Sequence, residues 1–596
     1  MKRNLLKAIG ISFLIFVILS WIIPVGTYTS GKLSTSGISP VGLGDLFNKP
    51  ISAVVTFALY GVVLAVIGGF YGVVEETGAL EKVVGKLSNS FEENSTFEIF
   101  KKVLKYLLFL SIGAIVAFYL VTVILHGFDD LFKGNVIVNG LIFGTIIFGA
   151  LLVFLSVLIL STLFVKKENK FLVLTIVLFI LLSSLTGLVV PLFVLVPLFA
   201  AALFKLNYDK VTVLAATVGS LLLGSVASTY GFNITGYTKN LLSLDMNFQI
   251  VPKIIILVLL ILLFSLWIVR NSKKVISKKT ISEKANLNMS NSSKIEDKKE
   301  VKKPAIKKNT SKKMPVKKNS TKKTTPRKAK GNTKALAVIS DVLKVGDNDH
   351  IKGRSFIVLL VIMLIVIVLG MYNWYYSFNI DVFNKIHEAV MGVKIKDFAI
   401  FEKLFSGISQ FGYWSNIEFA SLLIVTSMVI ALIYKLSVNE YVESFISGVK
   451  KWIPTAIYST LASVILVILY QSLQSGSGSI VNTICAKIFD LVDGFNPIVT
   501  GFASLIGSFF FNDLYYLLAT MTSFVSGYKG VNLNVAGLVI QSVYGVAMMI
   551  FPTSALLISG LSLFDVSYKE WIKYIWKFIL ITLLIVLIIC SIVVLL

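Results

Sequence analysis

Two short polar stretches interrupt apolar segments of this sequence and carry its best candidate ligand groups. The first reads GSVASTYGFNITG at residues 224–236, and the second is the turn Pro552-Thr553-Ser554. Their hydroxyl, amide and carbonyl oxygens are hard ligands that suit Na⁺ or a similar cation. A helix that unwinds there also frees backbone N–H groups that can hold an anion. The alternative is that the small residues only let helices pack closely, or that the proline only kinks its helix.

The candidate substrate- and ion-binding residues share a polar side chain, or a glycine or proline that shapes the backbone around a ligand. The first stretch supplies Ser225, Ser228, Thr229, Asn233, Thr235 and Gly236, and the second supplies Pro552, Thr553 and Ser554. Two predicted hairpin tips add Thr186 with Gly187 and Asn512 with Asp513. We predict Na⁺ or H⁺ as the coupling ion, with a Na⁺ position near Asn233, Asp513 and Thr553, and no other cofactor or metal.

Asp513 is the carboxylate with the strongest claim to function, because charged groups inside a membrane are costly and usually functional. It could take a proton, bind Na⁺ with nearby carbonyls, or pair with a substrate ammonium group. A helix cap or a charge at the outer mouth is the alternative. Tyr515 and Tyr516 follow it and either wall a pocket or pack in the core.

The elements that position these residues are membrane-spanning helices. Of the 596 residues, 56% are hydrophobic, and apolar runs of about 18 or more residues recur from end to end. We therefore predict an all-α polytopic membrane protein. Two cysteines and three scattered histidines support neither a disulfide framework nor a metal centre.

Most of the net charge of +25 lies in one segment between two hydrophobic halves. Residues 273–334 hold 22 Lys and Arg against 4 Asp and Glu, a net of +18. Such a segment buries little apolar surface, so we predict a disordered linker over residues 272–352. We interpret it as a cytoplasmic tether near anionic lipid. Binding of nucleic acid through phosphates is the alternative, without specificity for any sequence.

The lysine-rich linker also predicts the topology, because positive residues stay in the cytoplasm. The N-terminus then lies inside, and residues 453–470 form one outward span. Glu75 and Glu76 are interpreted as solvated charges near Lys82 at a cytoplasmic helix end. Residues 1–271 form the first repeat, with scaffold helices 1–165, a hairpin and broken helix within 171–240, and a span at 250–271.

The second half, residues 353–596, repeats this order from the opposite side of the membrane. Its hairpin is predicted at about 500–526 and its broken helix at about 535–563. Paired interruptions in two inverted repeats are typical of secondary transporters, whose binding site lies near the bilayer midplane. This pattern predicts inverted-topology repeats with re-entrant hairpins and discontinuous helices.

Four segments resemble the YfcC-like, C4-dicarboxylate anaerobic carrier (DcuC-like) family of the ion transporter superfamily. They are WIIPVGTY (21–28), IGGFYGVVEETGALEKVV (67–84), VPLFVLVPLFAAALFKLNYDKVTVLAATVG (190–219) and PTSALLISGLSLFDVSYKEWIKYIW (552–576). The resemblance implies a secondary carrier of dicarboxylates, amino acids or peptide-like acids, and an elevator-type homodimer. Relatives often carry a Ser-Gly-Ser-Gly tip on the second hairpin, whereas here that pattern lies earlier, at 475–479, and is interpreted as a loop or helix cap.

These observations predict an ion-coupled secondary active transporter of a small organic acid or amino acid in the cytoplasmic membrane. The substrate could be a dicarboxylate, a basic amino acid or a peptide-like compound. No nucleotide-binding GxxxxGK[ST] pattern occurs, and we predict that the chain is not an enzyme. The alternatives are a membrane-embedded enzyme acting on lipid or a lipid-linked substrate, which would need several carboxylates or histidines at one face, and a channel.

Overall fold

Long apolar helices dominate the structure, as the composition predicts. The computed structural model describes residues 2–29, 31–93, 96–126, 134–163, 165–274, 354–395, 398–474, 478–527 and 531–595. Within these ranges, eight helices are long and apolar enough to cross a membrane, or nine if one bent pair counts as a single span. The chain is therefore an all-α polytopic membrane protein. The predicted linker lies outside the described residues from position 275 to its end.

The first half begins with scaffold helices joined by a small antiparallel sheet, in which Gly26–Thr29 (β1) pairs with Lys32–Thr35 (β2). The scaffold helices are α1 Lys2–Ile22, α2 Leu43–Thr56, α3 Ala58–Glu76, α4 Ala79–Glu93, α5 Thr96–His126 and α6 Gly134–Leu163. After a 3₁₀ turn at Lys167–Asn169 come α7 Lys170–Thr186, α8 Val189–Leu192, a 3₁₀ turn at Phe193–Leu195 and α9 Val196–Lys205. We call α7 to α9 the first hairpin.

The first broken helix follows the first hairpin. It runs through α10 Lys210–Leu214, a π-helical turn at Ala215–Gly219, α11 Ser220–Val226, a second π-helical turn at Phe232–Gly236 and α12 Tyr237–Leu242. The last helix of this half is α13 Ile250–Asn271. The half therefore ends in the order hairpin, broken helix and full-length helix.

The second half opens with one apolar helix, which is followed by short helices and strands. These elements are α14 Arg354–Met371, α15 Trp374–Phe378, α16 Val382–Met391, the strands Lys394–Ile395 (β3) and Phe398–Ala399 (β4), and α17 Ile400–Leu404. Scaffold helices then follow as α18 Asn416–Ile433, α19 Val438–Leu461, α20 Val464–Gln474 and α21 Ile480–Phe489. Ser479 caps α21 by accepting the Asn482 N–H at 3.2 Å, so this end of the 475–479 pattern is a helix cap.

The second half ends in the same order of elements as the first. The second hairpin consists of α22 Pro497–Phe510 and α23 Leu514–Val525, and the second broken helix of α24 Leu533–Met548 and α25 Ala555–Leu563. The chain closes with α26 Tyr568–Leu595. The larger cluster of buried apolar side chains joins both broken helices to the first hairpin, and a smaller cluster surrounds the second hairpin.

The two broken helices lie antiparallel. A Cβ atom on Gly545 of α24 would come within 2.6 Å of the Val226 backbone, and one on Gly537 would come within 2.8 Å of the Thr238 side chain. Residue numbers therefore rise along one helix as they fall along the other. Glycine at 545 permits the close approach because any side chain there would collide with backbone.

Two expectations need correction. Glu75 is not a solvated charge, because its carboxylate accepts a hydrogen bond from Lys451 Nζ at 3.0 Å and the side chain is only 10% exposed. This ion pair joins α3 to α19. Gly68 and Gly72 of α3 and Gly448 of α19 let the two helices come into close contact. The predicted span at 453–470 is also not continuous, because α19 and α20 meet at a bend of 44°. No glycine or proline marks this bend at Ala462 and Ser463.

Candidate substrate-binding site

The first break exposes backbone groups at residues 227–231, between α11 and the second π-helical turn. The last turn of α7, next to the tip of the first hairpin, satisfies two of these groups. The Ser184 hydroxyl donates to the Ala227 carbonyl at 2.6 Å, and the Thr229 N–H donates to the Ser184 carbonyl at 3.1 Å. These groups are buried, and unwound backbone survives in a membrane only where protein or water satisfies it.

Gly187 forms the tip of the first hairpin in the left-handed backbone region, with φ of 68°. A Cβ atom at this position would lie 2.8 Å from the backbone of Gly231, so the tip and the break touch backbone to backbone. The Asn233 side-chain amide donates to the Gly187 carbonyl at 3.4 Å. We call this contact between hairpin tip and helix break the first assembly.

Three of the predicted hydroxyl ligands belong to the first assembly. Thr235 donates to the Ser228 carbonyl at 2.8 Å and lies 3.2 Å from the Ser228 hydroxyl, while Thr229 lies 3.3 Å from Ser184. Gly236 donates its N–H to the Gly231 carbonyl at 3.2 Å.

Two other predicted ligands are turned toward their own helices. The Ser225 hydroxyl donates to the Leu221 carbonyl at 3.5 Å, and the Thr186 hydroxyl donates to the Leu182 carbonyl at 2.7 Å. Thr186 also accepts the Leu188 N–H at 3.2 Å, so it terminates α7. Their hydrogen bonds give these two side chains a local role at helix ends.

The second break lies at residues 549–554, between α24 and α25. Pro552 lies in the turn, and Ser554 caps α25 by accepting the Leu557 N–H at 3.4 Å. The Thr553 carbonyl accepts a hydrogen bond from Asn512 at the tip of the second hairpin, at 2.9 Å. The Thr553 hydroxyl is buried and has no hydrogen-bond partner among the described residues.

Asn512 holds three elements together at this second assembly, which we define as the contact between the second hairpin tip and the second break. Its side-chain amide donates to the Ser463 hydroxyl at 2.8 Å as well as to Thr553, and its backbone carbonyl accepts from the Tyr544 hydroxyl at 2.9 Å. Asp513 caps α23, because its carboxylate accepts the Tyr515 N–H at 2.9 Å. Asp513 therefore has the capping contact that the alternative interpretation expects.

A buried glutamine links the second broken helix to the first break. Gln541 on α24 donates to the Ser228 carbonyl at the first break, at 3.2 Å, and both residues are fully buried. Within the described part of the chain, the Gln541 carbonyl oxygen has no donor and the neighbouring Ser542 hydroxyl has no partner. The sequence analysis missed Gln541, although an amide inside an otherwise apolar helix was a usable signal.

The three residues named for a Na⁺ position are divided between the two assemblies. Asn233 contacts the first hairpin tip, whereas Thr553 and Asp513 belong to the second break and second hairpin. The described residues contain no group of three or more His, Cys, Asp and Glu side chains arranged for a metal ion. A cation held near these residues would therefore rely on hydroxyl, amide and carbonyl oxygens, with the Asp513 carboxylate as the one charged candidate among the three named residues.

This arrangement defines a class of protein: a polytopic helical membrane protein whose two halves each bring a hairpin tip to a broken helix. Comparison with known proteins finds similarity to membrane carriers. The C4-dicarboxylate anaerobic carrier (DcuC) family model matches residues 317–595. The putative basic amino acid antiporter YfcC of Escherichia coli strain K12 is 29% identical over 177 residues, which covers 27% of this chain and 34% of that protein.

The chain is therefore similar to YfcC/DcuC-like carriers, the resemblance that its motifs predict. Both matches are carriers, which agrees with the prediction that the chain is not an enzyme. The match spans about a third of the length of the curated relative. No solved structure matches this chain.

Proposed function

We propose that this protein is an ion-coupled secondary active transporter of a small organic acid or amino acid. The observation that carries the proposal is the pair of assemblies, whose two broken helices are joined by the hydrogen bond from Gln541 on α24 to Ser228 at the first break. Each assembly places polar backbone and side-chain groups at a helix break, and each belongs to a different half of the chain. Paired breaks of this kind form the substrate and ion sites of secondary transporters.

The chemistry of the assemblies favours a substrate that travels with a cation. Their predicted ligands are uncharged apart from Asp513, and no lysine or arginine takes part in the tip and break contacts described above. A carboxylate substrate would therefore need charge compensation from helix N-termini or from a co-bound cation. The unpartnered hydroxyl of Thr553 and carbonyl oxygen of Gln541 are oxygen ligands that suit Na⁺.

The family and the relative suggest two substrate classes to test. One is a C4-dicarboxylate, after the description of the matching family, and the other is a basic amino acid, after the description of the relative. Purified protein in proteoliposomes is given radiolabelled succinate or arginine under an inward Na⁺ gradient, a pH gradient or neither. Concentrative uptake that collapses with the matching ionophore supports the proposal, whereas flux that only dissipates gradients supports a channel.

A matched pair of variants separates ion coupling from stability. Thr553→Val removes the buried, unpartnered hydroxyl at the second break, and Thr426→Val removes a hydroxyl that donates to the Leu422 carbonyl within α18. We expect Thr553→Val to raise the Na⁺ concentration needed for half-maximal uptake and Thr426→Val to leave it unchanged. Equal Na⁺ dependence in both variants would remove Thr553 from the ion site.

The proposal also includes a homodimer in the plasma membrane, with the basic segment at 272–352 on the cytoplasmic side near anionic lipid. Cross-linking of the full chain in its native membrane tests the dimer. Protease protection in right-side-out vesicles tests the side of the basic segment, because an accessible segment would reverse the topology. Reconstitution with and without phosphatidylglycerol tests the lipid contact.

A further inference from the structure

A cavity lies between the second hairpin and the β1–β2 sheet, next to α20 and α21. Its volume is about 410 Å³, and its walls include Tyr28, Tyr470, Tyr515 and Tyr516. Asn482 and Thr520 are among the remaining lining residues. The residues that make the tip and break contacts do not line it, so this cavity is a separate feature of the molecule.

Three of the tyrosine rings that line the cavity meet at right angles. The Tyr516 ring stands perpendicular to the rings of Tyr470 and Tyr515, at 87° and 90°, with centroids 5.7 Å and 5.5 Å apart. Tyr28, on the sheet side, is held by stacking on Phe524 at 4.1 Å. Aromatic faces carry negative electrostatic potential, and several faces around one space attract a cation.

The charged group nearest the cavity in the sequence is a carboxylate, and its negative charge favours a cation as the ring faces do. None of the described residues that line it is positively charged. The carboxylate of Asp513 lies one turn before Tyr516 on α23, where it caps the helix. A nearby negative charge increases the attraction of a cation in a partly buried space. The hydroxyl and amide groups of Thr520 and Asn482 are neutral and can accept hydrogen bonds from an ammonium.

We propose that this tyrosine cavity binds a small organic cation through an alkylammonium group. The volume lies within the range of small-molecule sites, at about 300–1,000 Å³. The cavity shares no lining residue with the two assemblies, and Asp513 at the second hairpin tip borders both. The binding group is defined by charge and ring faces, so a ligand of the same shape without charge binds weakly.

The test compares two probes of the same shape. Choline and 3,3-dimethyl-1-butanol differ in the charge of the central group, and each is titrated by calorimetry into the full chain in lipid nanodiscs. We expect choline to bind about 10-fold more tightly. Equal affinity for the two probes would overturn the proposal. So would the absence of choline binding up to about 10 mM, because a weaker Kd is not that of a specific site.

Ring variants identify the groups responsible. Tyr516→Leu and Tyr470→Leu remove an aromatic face and should each weaken choline binding by about 5-fold, whereas Tyr516→Phe keeps the face and should stay within about 2-fold of the parent. Tyr413→Leu, at an outlying tyrosine that is 38% exposed, is the matched control. A Phe variant as weak as the Leu variant, or an equal loss in the control, would overturn the assignment to ring faces.

The charge contribution has its own variant. Asp513→Asn should weaken choline binding and leave binding of 3,3-dimethyl-1-butanol unchanged, because only the charged probe senses the carboxylate. An equal loss for both probes would show that the substitution alters the shape of the cavity, and would remove the carboxylate from the proposed site.

Discussion

Asn512 offers the most direct test of the second assembly. Its amide donates to the Ser463 hydroxyl at 2.8 Å and to the Thr553 carbonyl at 2.9 Å. Asn512→Asp keeps the size of the side chain but replaces the two donors with acceptors. The new carboxylate then faces the carbonyl oxygen of Thr553, and the contact changes from attraction to repulsion.

The size of the effect follows from the two bonds. Each is worth about 0.5–1.5 kcal/mol net, and a buried acceptor left without a donor costs about 1–3 kcal/mol. Because Ser463 can rotate its hydroxyl to donate, the Thr553 carbonyl is the main loss. We expect Asn512→Asp to lower the free energy of unfolding by roughly 2–4 kcal/mol.

Thermal unfolding in detergent and proteoliposome uptake measure the consequences together. The control is Asn271→Asp at the end of α13, which loses a single hydrogen bond of 2.8 Å from the side-chain amide to the Trp267 carbonyl. We expect the control to cost about 1 kcal/mol and to leave the KM unchanged. If Asn512→Asp unfolds at the same temperature as the control and keeps the parent KM, the second hairpin tip does not hold the second break.

Three further outcomes test separate parts of the fold. Gly187→Ala and Gly31→Ala both place a side chain at positive φ, which costs about 1–2 kcal/mol. Only at position 187 does neighbouring backbone lie 2.8 Å from the new Cβ atom. The Gly187→Ala variant should therefore lose more thermal stability than Gly31→Ala, and it should also lose transport. Lys253→Met should leave the unfolding temperature unchanged or higher, because the fully buried ammonium has no hydrogen-bond partner among the described residues. A double-mutant cycle of Glu75→Gln and Lys451→Met should give a coupling of about 0.5–3 kcal/mol, and additive losses would place the two charges apart.

The predicted breaks follow from local composition. Glycine, serine and proline clusters lower hydropathy over a few residues, and the helices end beside them, at Val226 and Met548. Gly187 was similarly readable, because a residue with positive φ at the end of an apolar helix favours glycine. In the described chain, helices end beside each of these short-range signals.

Long-range contacts were not readable in this way. Gln541 reaches Ser228 across 313 positions of sequence, and Lys451 reaches Glu75 across 376. Their pairing depends on how α24 packs against the first break and how α19 packs against α3. A single sequence does not show this packing. The bend at Ser463 is a further example, since no glycine or proline marks it and its contact with Asn512 spans 49 positions of sequence.

The hairpin tips have two consequences that cannot be separated. They donate to the Ala227 and Thr553 carbonyls that the helix breaks would otherwise leave bare, so each tip stabilises its break. If a tip withdraws, those oxygens need another partner, because inside a membrane only protein, water or a bound ligand can supply one. A cation at either carbonyl would take over this role and lower the cost of moving the tip. In the proposed transporter, an ion that compensates the break would be coupled to the movement that opens it through the same oxygen atoms, as transport driven by an ion gradient requires.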